Sequence, residues 1–225
     1  MKKLVSILMI FTIAFSFTFC INVYADEATP VTPKTEILLD RLESETEVSV
    51  TIRSGQTMLF GAIPADITNT FAAKGNNIAY EYSAGFLKAR IVANESGVYG
   101  FSPTLPFFYA KMDTNPLAGA NVWQLVMGAA DLTQALTQYL GCRTETVDGV
   151  TYYVEKYDDR EFVTSEFFYI GDELKMLRVE DSSTNSVQYT YFEDISFNVS
   201  DSFFTAPTAA IDLSPLLMSI FASLL

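Results

Sequence analysis

Residues 143–157 read RTETV, DG, VTYYVEKY, and residues 162–181 read FVTSEFFYI, GD, ELKMLRVED. A polar SSTNS turn at 182–186 then leads into VQYTYF at 187–192. Asp-Gly between β-branched and aromatic runs is a strong short-range hairpin signal, because both turn positions need a positive φ that these two residues tolerate. Residues 142–207 therefore predict an antiparallel meander with very short connections. The same stretch names no reaction, so function has to come from what such a sheet encloses.

Phe167, Phe168 and Tyr169 are neighbours, and so are Tyr191 and Phe192. Adjacent strand residues point to opposite faces, so both faces of this sheet carry large rings. An antiparallel sheet with one wet face would not read this way. Helices cover each face, or the sheet curls around a cavity.

Working outward, Glu47 to Arg53 alternates and predicts a half-buried first strand. Ser54-Gly55-Gln56 reads as a turn and Thr57 to Ile63 as a second strand. Ile78 to Ser83 follows, and then a hairpin of Phe86 to Ala93 and Val98 to Phe101 across Asn94 to Gly97. Pro103 and Pro106 keep Ser102 to Tyr109 out of a central strand, although Leu105, Phe107, Phe108 and Tyr109 are bulky and apolar. Asn115-Pro116 opens a helix over Leu117 to Met127. It bears no charge, and Val122, Trp123, Leu125, Val126 and Met127 wrap most of its circumference. Such a helix has to be covered on nearly all sides, which places it across the mouth or concave face of the sheet. A second helix starts at Asp131, carries Leu132, Ala135, Leu136, Tyr139 and Leu140 at helical spacing, and ends at Gly141. Glu36 to Leu42 forms a short helix near the start of the domain.

The chain has 225 residues, 49% hydrophobic and 14% aromatic, enough for one domain with a substantial core. Residues 1–25 have the form of a secretory signal peptide: Lys2-Lys3, an apolar run from Leu4 to Phe19, and Val23-Tyr24-Ala25 at the cleavage site. Phe17-Thr18-Phe19 before Cys20 does not suit lipidation, so cleavage after Ala25 and export from a bacterial cell are expected. Loss of Lys2 and Lys3 with the leader takes the net charge from −13 to −15. That sign argues against nucleic acid and anionic lipid surfaces as partners. Cys142 is then the only cysteine, which excludes an internal disulfide. After Gly141, it reads as a small buried hydrophobe. The expected organisation is a linker at 26–35, a single domain at 36–207 and an apolar tail at 208–225. In the tail, Leu213, Leu216, Leu217, Ile220, Phe221 and Leu224 repeat at helical spacing after Ser214-Pro215. It is shorter than the roughly 20 residues a membrane span needs, and it lacks the charged face of a surface helix. Packing against the sheet is expected, with any membrane or envelope contact transient.

The chain contains no histidine, which removes the commonest general base and most zinc and copper sites. It has no phosphate-cradling glycine loop or dinucleotide fingerprint. Asp158-Asp159 with Glu161, and Glu193-Asp194, are carboxylate pairs of the kind glycoside hydrolysis uses. They fall at turns and strand ends, where solvated acids are the ordinary reading. No cofactor, metal site or catalytic residue is expected, and the chain is read as non-enzymatic.

Three stretches carry a resemblance: Asp148 to Tyr157, Phe168 to Leu174 with its Gly171-Asp172 turn, and Asp201-Ser202-Phe203-Phe204-Thr205-Ala206-Pro207. They resemble exported bacterial proteins of the lipoprotein-carrier (LolA/LppX-like) superfamily, over the last third of the mature chain in motif and most of it in element order. The uncharged tail beyond Pro207 and the absent lipobox depart from better-known members. The resemblance implies an α+β fold: a curved antiparallel half-barrel, with short helices lidding the concave face over a lipid or lipoprotein acyl chain. Phe107, Phe108, Val122, Trp123 and Val126 near the mouth, with Leu217, Ile220 and Phe221 from the tail, are the expected ligand-facing residues. The competing expectation is a secreted structural or interaction module whose cavity is filled by its own helices.

Overall fold

The computed structural model describes residues 32–59, 63–112, 138–160, 162–207 and 211–214. Among them are one helix, α1 (Lys34–Ser44), and one 3-10 turn (Asp201–Phe204). The rest is mostly strand: β1 (Glu47–Leu59), β2 (Ile63–Lys74), β3 (Asn77–Ala84), β4 (Leu87–Asn94), β5 (Gly97–Ser102), β6 (Leu105–Met112), β7 (Gln138–Val147), β8 (Val150–Arg160), β9 (Val163–Ile170), β10 (Glu173–Asp181), β11 (Ser186–Ser196) and β12 (Ile211–Asp212). Two units divide the chain, residues 1–44 with 126–193 and residues 45–125 with 194–225.

In the first unit the strand order is β11-β10-β9-β8-β7, each pair antiparallel. The predicted hairpins are present. Asp148 and Gly149 have φ of 52° and 79°, the two positive values that the commonest two-residue hairpin turn requires. Gly171 has φ of 60° between β9 and β10. Asp181 opens the next turn by accepting the N–H of Ser183 at 2.8 Å, and Asn185 closes it at φ of 52°. β9 is buried on both sides: Glu166 and Phe168 on one face, Ser165, Phe167 and Tyr169 on the other. Each such large apolar side chain contributes roughly 1.5–3 kcal/mol by leaving water.

The second unit runs β1-β2-β3-β4-β5-β6, antiparallel throughout, and β12 adds a two-residue parallel pairing, Ile211 opposite Phe108. Ala72, Ala79 and Val92 stand in one row across β2, β3 and β4. Their small side chains leave room for Val199 and Phe204, which bury against them with Phe101 and Phe203 alongside. The Asp-Ser-Phe-Phe motif is the 3-10 turn that delivers these rings, capped by the Ser200 side chain on the N–H of Ser202. Lys74 ties it down through Asp201 at 2.8 Å, the Val199 carbonyl at 3.1 Å and Glu47 at 3.1 Å. Arg90 lies 4.1 Å over the Phe203 ring while its Nε donates to Glu81 at 2.9 Å.

Several local expectations change. Ser54-Gly55-Gln56 is no turn: β1 continues through it, and Gly55, with φ of 133°, absorbs a bulge in the pairing with β2. Tyr139 and Leu140 are not the end of a helix but part of β7, where Tyr139 pairs with Tyr157. Gly141 is a second bulge, with φ of 127°, and Cys142 beyond it is half-buried in the strand. Their apolar spacing fits a helix face, but a ladder partner outweighs helical periodicity. Residues 105–112 form a strand despite Pro106, because β6 lies near the end of the strand order, where β12 pairs only with Phe108 and Tyr109. The helix expected from Glu36 begins at Lys34, so the last two residues assigned to the linker belong to α1, and Thr35 is fully buried. Ile211 and Asp212 of the expected tail join the sheet edge. The helix expected over Leu117 to Met127 lies outside the described residues, as do the body of the second helix and the tail beyond Ser214.

Candidate functional site

Directly opposed residues in neighbouring strands share a face, so the register sorts the side chains of the first unit. One face carries Tyr153, Glu155, Tyr157, Phe167, Tyr169 and Leu177. Helix α1 docks here by its first turn. The fully buried Glu155 carboxylate accepts the N–H of Lys34 at 2.7 Å, the N–H of Thr35 at 2.9 Å and the Thr35 hydroxyl at 2.7 Å. Those N–H groups have no partner inside the helix, and a negative charge suits the positive end of its dipole. The Thr35 and Tyr169 hydroxyls lie 2.9 Å apart, and the Tyr157 hydroxyl donates to Glu155 at 3.4 Å. Burial, and after it the nearby Glu155 charge, push the Tyr157 hydroxyl well above its ordinary pKa. This face is structural.

The opposite face combines apolar and charged groups, and it is the candidate site. Val154, Phe168 and Met176 form a buried row across β8, β9 and β10, with Val147, Tyr152 and Tyr189 packed against it. Tyr152 meets Phe168 edge-on at 5.8 Å, and Tyr189 stacks along β11 on Tyr191, 6.4 Å away. The next row is Lys156, Glu166 and Arg178, joined from β7 by Arg143 and Glu145. Glu166 accepts from Arg143 at 3.0 and 2.9 Å and pairs ionically with Arg178 at 2.5 Å and Lys156 at 3.6 Å. Arg143 also binds Glu145, which lies 3.9 Å from Arg178. Burial alone would raise the Glu166 pKa. The hydrogen bond from Arg143, with the charges of Arg178, Arg143 and Lys156, outweighs it and holds the carboxyl below its usual range. The Arg178 guanidinium lies 5.8 Å from the Phe168 ring, and its Nε is buried without a hydrogen-bond partner among the described residues. Farther along, Lys156, Asp158, Phe162, Thr164 and Glu180 line a depression of about 220 Å³.

Of the expected ligand-facing residues, two lie among the described residues. Phe107 and Phe108 sit on β6 of the second unit, 63% and 47% exposed. As strand neighbours they point to opposite faces, so one face can use only one of them. Val122, Trp123, Val126, Leu217, Ile220 and Phe221 lie outside the described residues. Of the acidic pairs, Asp158 borders the depression, Glu193 and Asp194 are exposed on β11, and Glu161 is outside the described residues. No cluster of acidic or cysteine side chains suited to a metal ion occurs among the described residues. Sequence reasoning missed the Arg143–Glu145–Glu166–Arg178 network. Its signal was a charge inside each apolar run, as with Glu166 between Ser165 and Phe167, but pairing those charges needs the register.

No protein-family model matches the chain, and no curated protein matches it significantly. Solved structures similar to it include an uncharacterized conserved protein from Thermus thermophilus, with 11% identity over 76% of this chain and 91% of that one, at a TM-score of 0.37. The Mycobacterium tuberculosis lipoprotein LppX is similar at 11% identity, 74% and 95% coverage and a TM-score of 0.34. A LolA superfamily protein from Nitrosomonas europaea is similar at 15% identity, 78% and 98% coverage and a TM-score of 0.27. Among the described residues no helix is long and apolar enough to cross a membrane.

Proposed function

We propose that this chain is an exported, non-enzymatic protein that holds a lipid or acyl chain against the apolar face of a curved half-barrel lidded by short helices. The observation that supports this reading best is the face opposite α1. Its buried Val154, Phe168 and Met176 are flanked by Tyr152, Tyr189 and Tyr191 on an antiparallel sheet. Affinity would scale with buried apolar area, at about 25 cal/mol per Å². On this reading one of Phe107 and Phe108, with Val122, Trp123 and Val126, borders the ligand at the mouth, and Leu217, Ile220 and Phe221 form a plug that the ligand displaces. The test is titration of the full chain with a fluorescent fatty acid, beside mass spectrometry of lipid extracted from the purified protein. Saturable one-to-one binding, made tighter by deleting residues 215–225, is expected. A chain that binds no probe, with or without residues 215–225, and releases no lipid refutes the carrier reading. One observation favours a self-filled interaction module instead: Arg143, Glu145 and Glu166 occupy the middle of the same face and satisfy one another. Extracted lipid separates the two readings.

A further inference from the structure

The charged network of the first unit has an imbalance. Arg143, Lys156 and Arg178 surround two carboxylates, Glu145 and Glu166, three cations to two anions before Asp158 and Glu180 of the same face are counted. The carboxylates have taken the other guanidinium nitrogens, Nη2 of Arg178 with Glu166 at 2.5 Å and Nη1 near Glu145 at 3.9 Å. Nε of Arg178 is left buried with no acceptor among the described residues. A buried charged donor without a partner is costly, and native structures rarely leave one. The same pairing fixes the guanidinium, so this donor is held in place before any ligand arrives. Beside it on the same face runs an apolar strip along β11: Val187, 39% exposed, then Tyr189, which pairs with Arg178, then Tyr191, 38% exposed. Asp158 and Glu180 are the other acids of this face, one residue pair farther along, at the depression.

We infer that Arg178 is the headgroup reader of this face, and that the ligand is a single-chain amphiphile with one negative charge, its carboxylate on Arg178 Nε and its chain along Val187, Tyr189 and Tyr191. The inference rests on the proposed function, and it goes further by naming the class of lipid. A neutral lipid offers Nε only an uncharged oxygen, the weaker acceptor for a guanidinium. A dianionic headgroup would meet stronger repulsion from Glu145, Glu166 and the acids at the depression.

The experiment titrates the full chain with cis-parinaric acid and with its methyl ester, both followed by fluorescence. The ester is the more hydrophobic probe, so burial alone would favour it. Wild type is expected to bind the acid at least about tenfold more tightly, the scale of one charge-assisted hydrogen bond. Arg178→Lys keeps a cation facing Glu166 but has no Nε–H, and the preference for acid over ester should collapse in it. A wild-type acid-to-ester ratio near one overturns the inference and leaves the carrier reading standing, with a water as partner of Nε. A preference that survives Arg178→Lys overturns it as well. If neither probe binds wild type, the carrier reading falls and the headgroup assignment with it. Should Arg178→Lys lose its cooperative thermal transition, the wild-type ratio decides alone.

Discussion

Replacing Glu166 by glutamine keeps the shape of the side chain and removes its charge, so it tests the network without opening a cavity. Glu166 is 3% exposed, takes two hydrogen bonds from Arg143 and forms ion pairs with Arg178 at 2.5 Å and Lys156 at 3.6 Å. In Glu166→Gln one amide oxygen has to serve those donors, and the amide nitrogen presents further donors to them. Glu145 is then the one carboxylate left beside both Arg143 and Arg178. Removing one partner of a buried pair costs about 3–5 kcal/mol, because an uncompensated charge stays buried. With a urea slope of about 2 kcal/mol per M, the unfolding midpoint falls by roughly 2 M. The acid limb changes too. The folded pKa of Glu166 lies below its unfolded value, so its contribution is complete above about pH 4.5 and is lost as pH falls through the folded value. Glu166→Gln lacks that segment of the pH profile. Urea titrations followed by circular dichroism at pH 7 and at steps down to pH 3 measure both effects. A loss below about 1 kcal/mol, or an acid limb identical to wild type, would show that the network is not held as described.

Two further outcomes follow from local geometry. Glu155→Ala strips the acceptor from the N–H groups of Lys34 and Thr35 and from the buried Thr35 hydroxyl. At about 1–3 kcal/mol for each buried orphan, amides 34–44 should exchange markedly faster with the strands protected, and unchanged protection of α1 refutes the docking role. Gly149→Ala should cost about 1–2 kcal/mol in a thermal melt, because φ of 79° strains any residue with a Cβ, although that Cβ meets nothing within 4 Å. Gly100→Ala has the same open space without the positive φ and should be neutral or slightly stabilising; equal losses at both sites would refute the turn argument.

The parts of this protein legible in the sequence are those whose cause is local. Asp148-Gly149 and Gly171-Asp172 mark their turns because two adjacent residues decide a two-residue loop. The alternation in Glu47 to Arg53 and the adjacent rings of Phe167, Phe168 and Tyr169 reveal strands, and a sheet buried on both faces, before any partner is known. Local signals mislead where one chemistry serves two geometries. Gly55 and Gly141 supply positive φ for bulges as readily as glycine does for a turn or a helix end, and only the ladder partners, Asp66 to Thr68 and Lys156, tell which. Pro106 likewise argues against a central strand but is silent about one near a sheet edge.

The candidate site shows the same division. Composition and the absence of histidine pointed away from catalysis and toward apolar burial, since these are properties of residue types. Which apolar residues gather, and which charges meet, depends on register. Arg143, Glu166 and Arg178 are 23 and 12 positions apart, and one residue of slip would send any of them to the opposite face. By itself the sequence determined the meander, its turns and its two-sided burial, because period-two alternation and turn stereochemistry act over a few residues. Only the tertiary structure decided that Arg178 Nε would be left without an acceptor inside the charged network, because a hydrogen-bond balance exists only once four strands lie side by side.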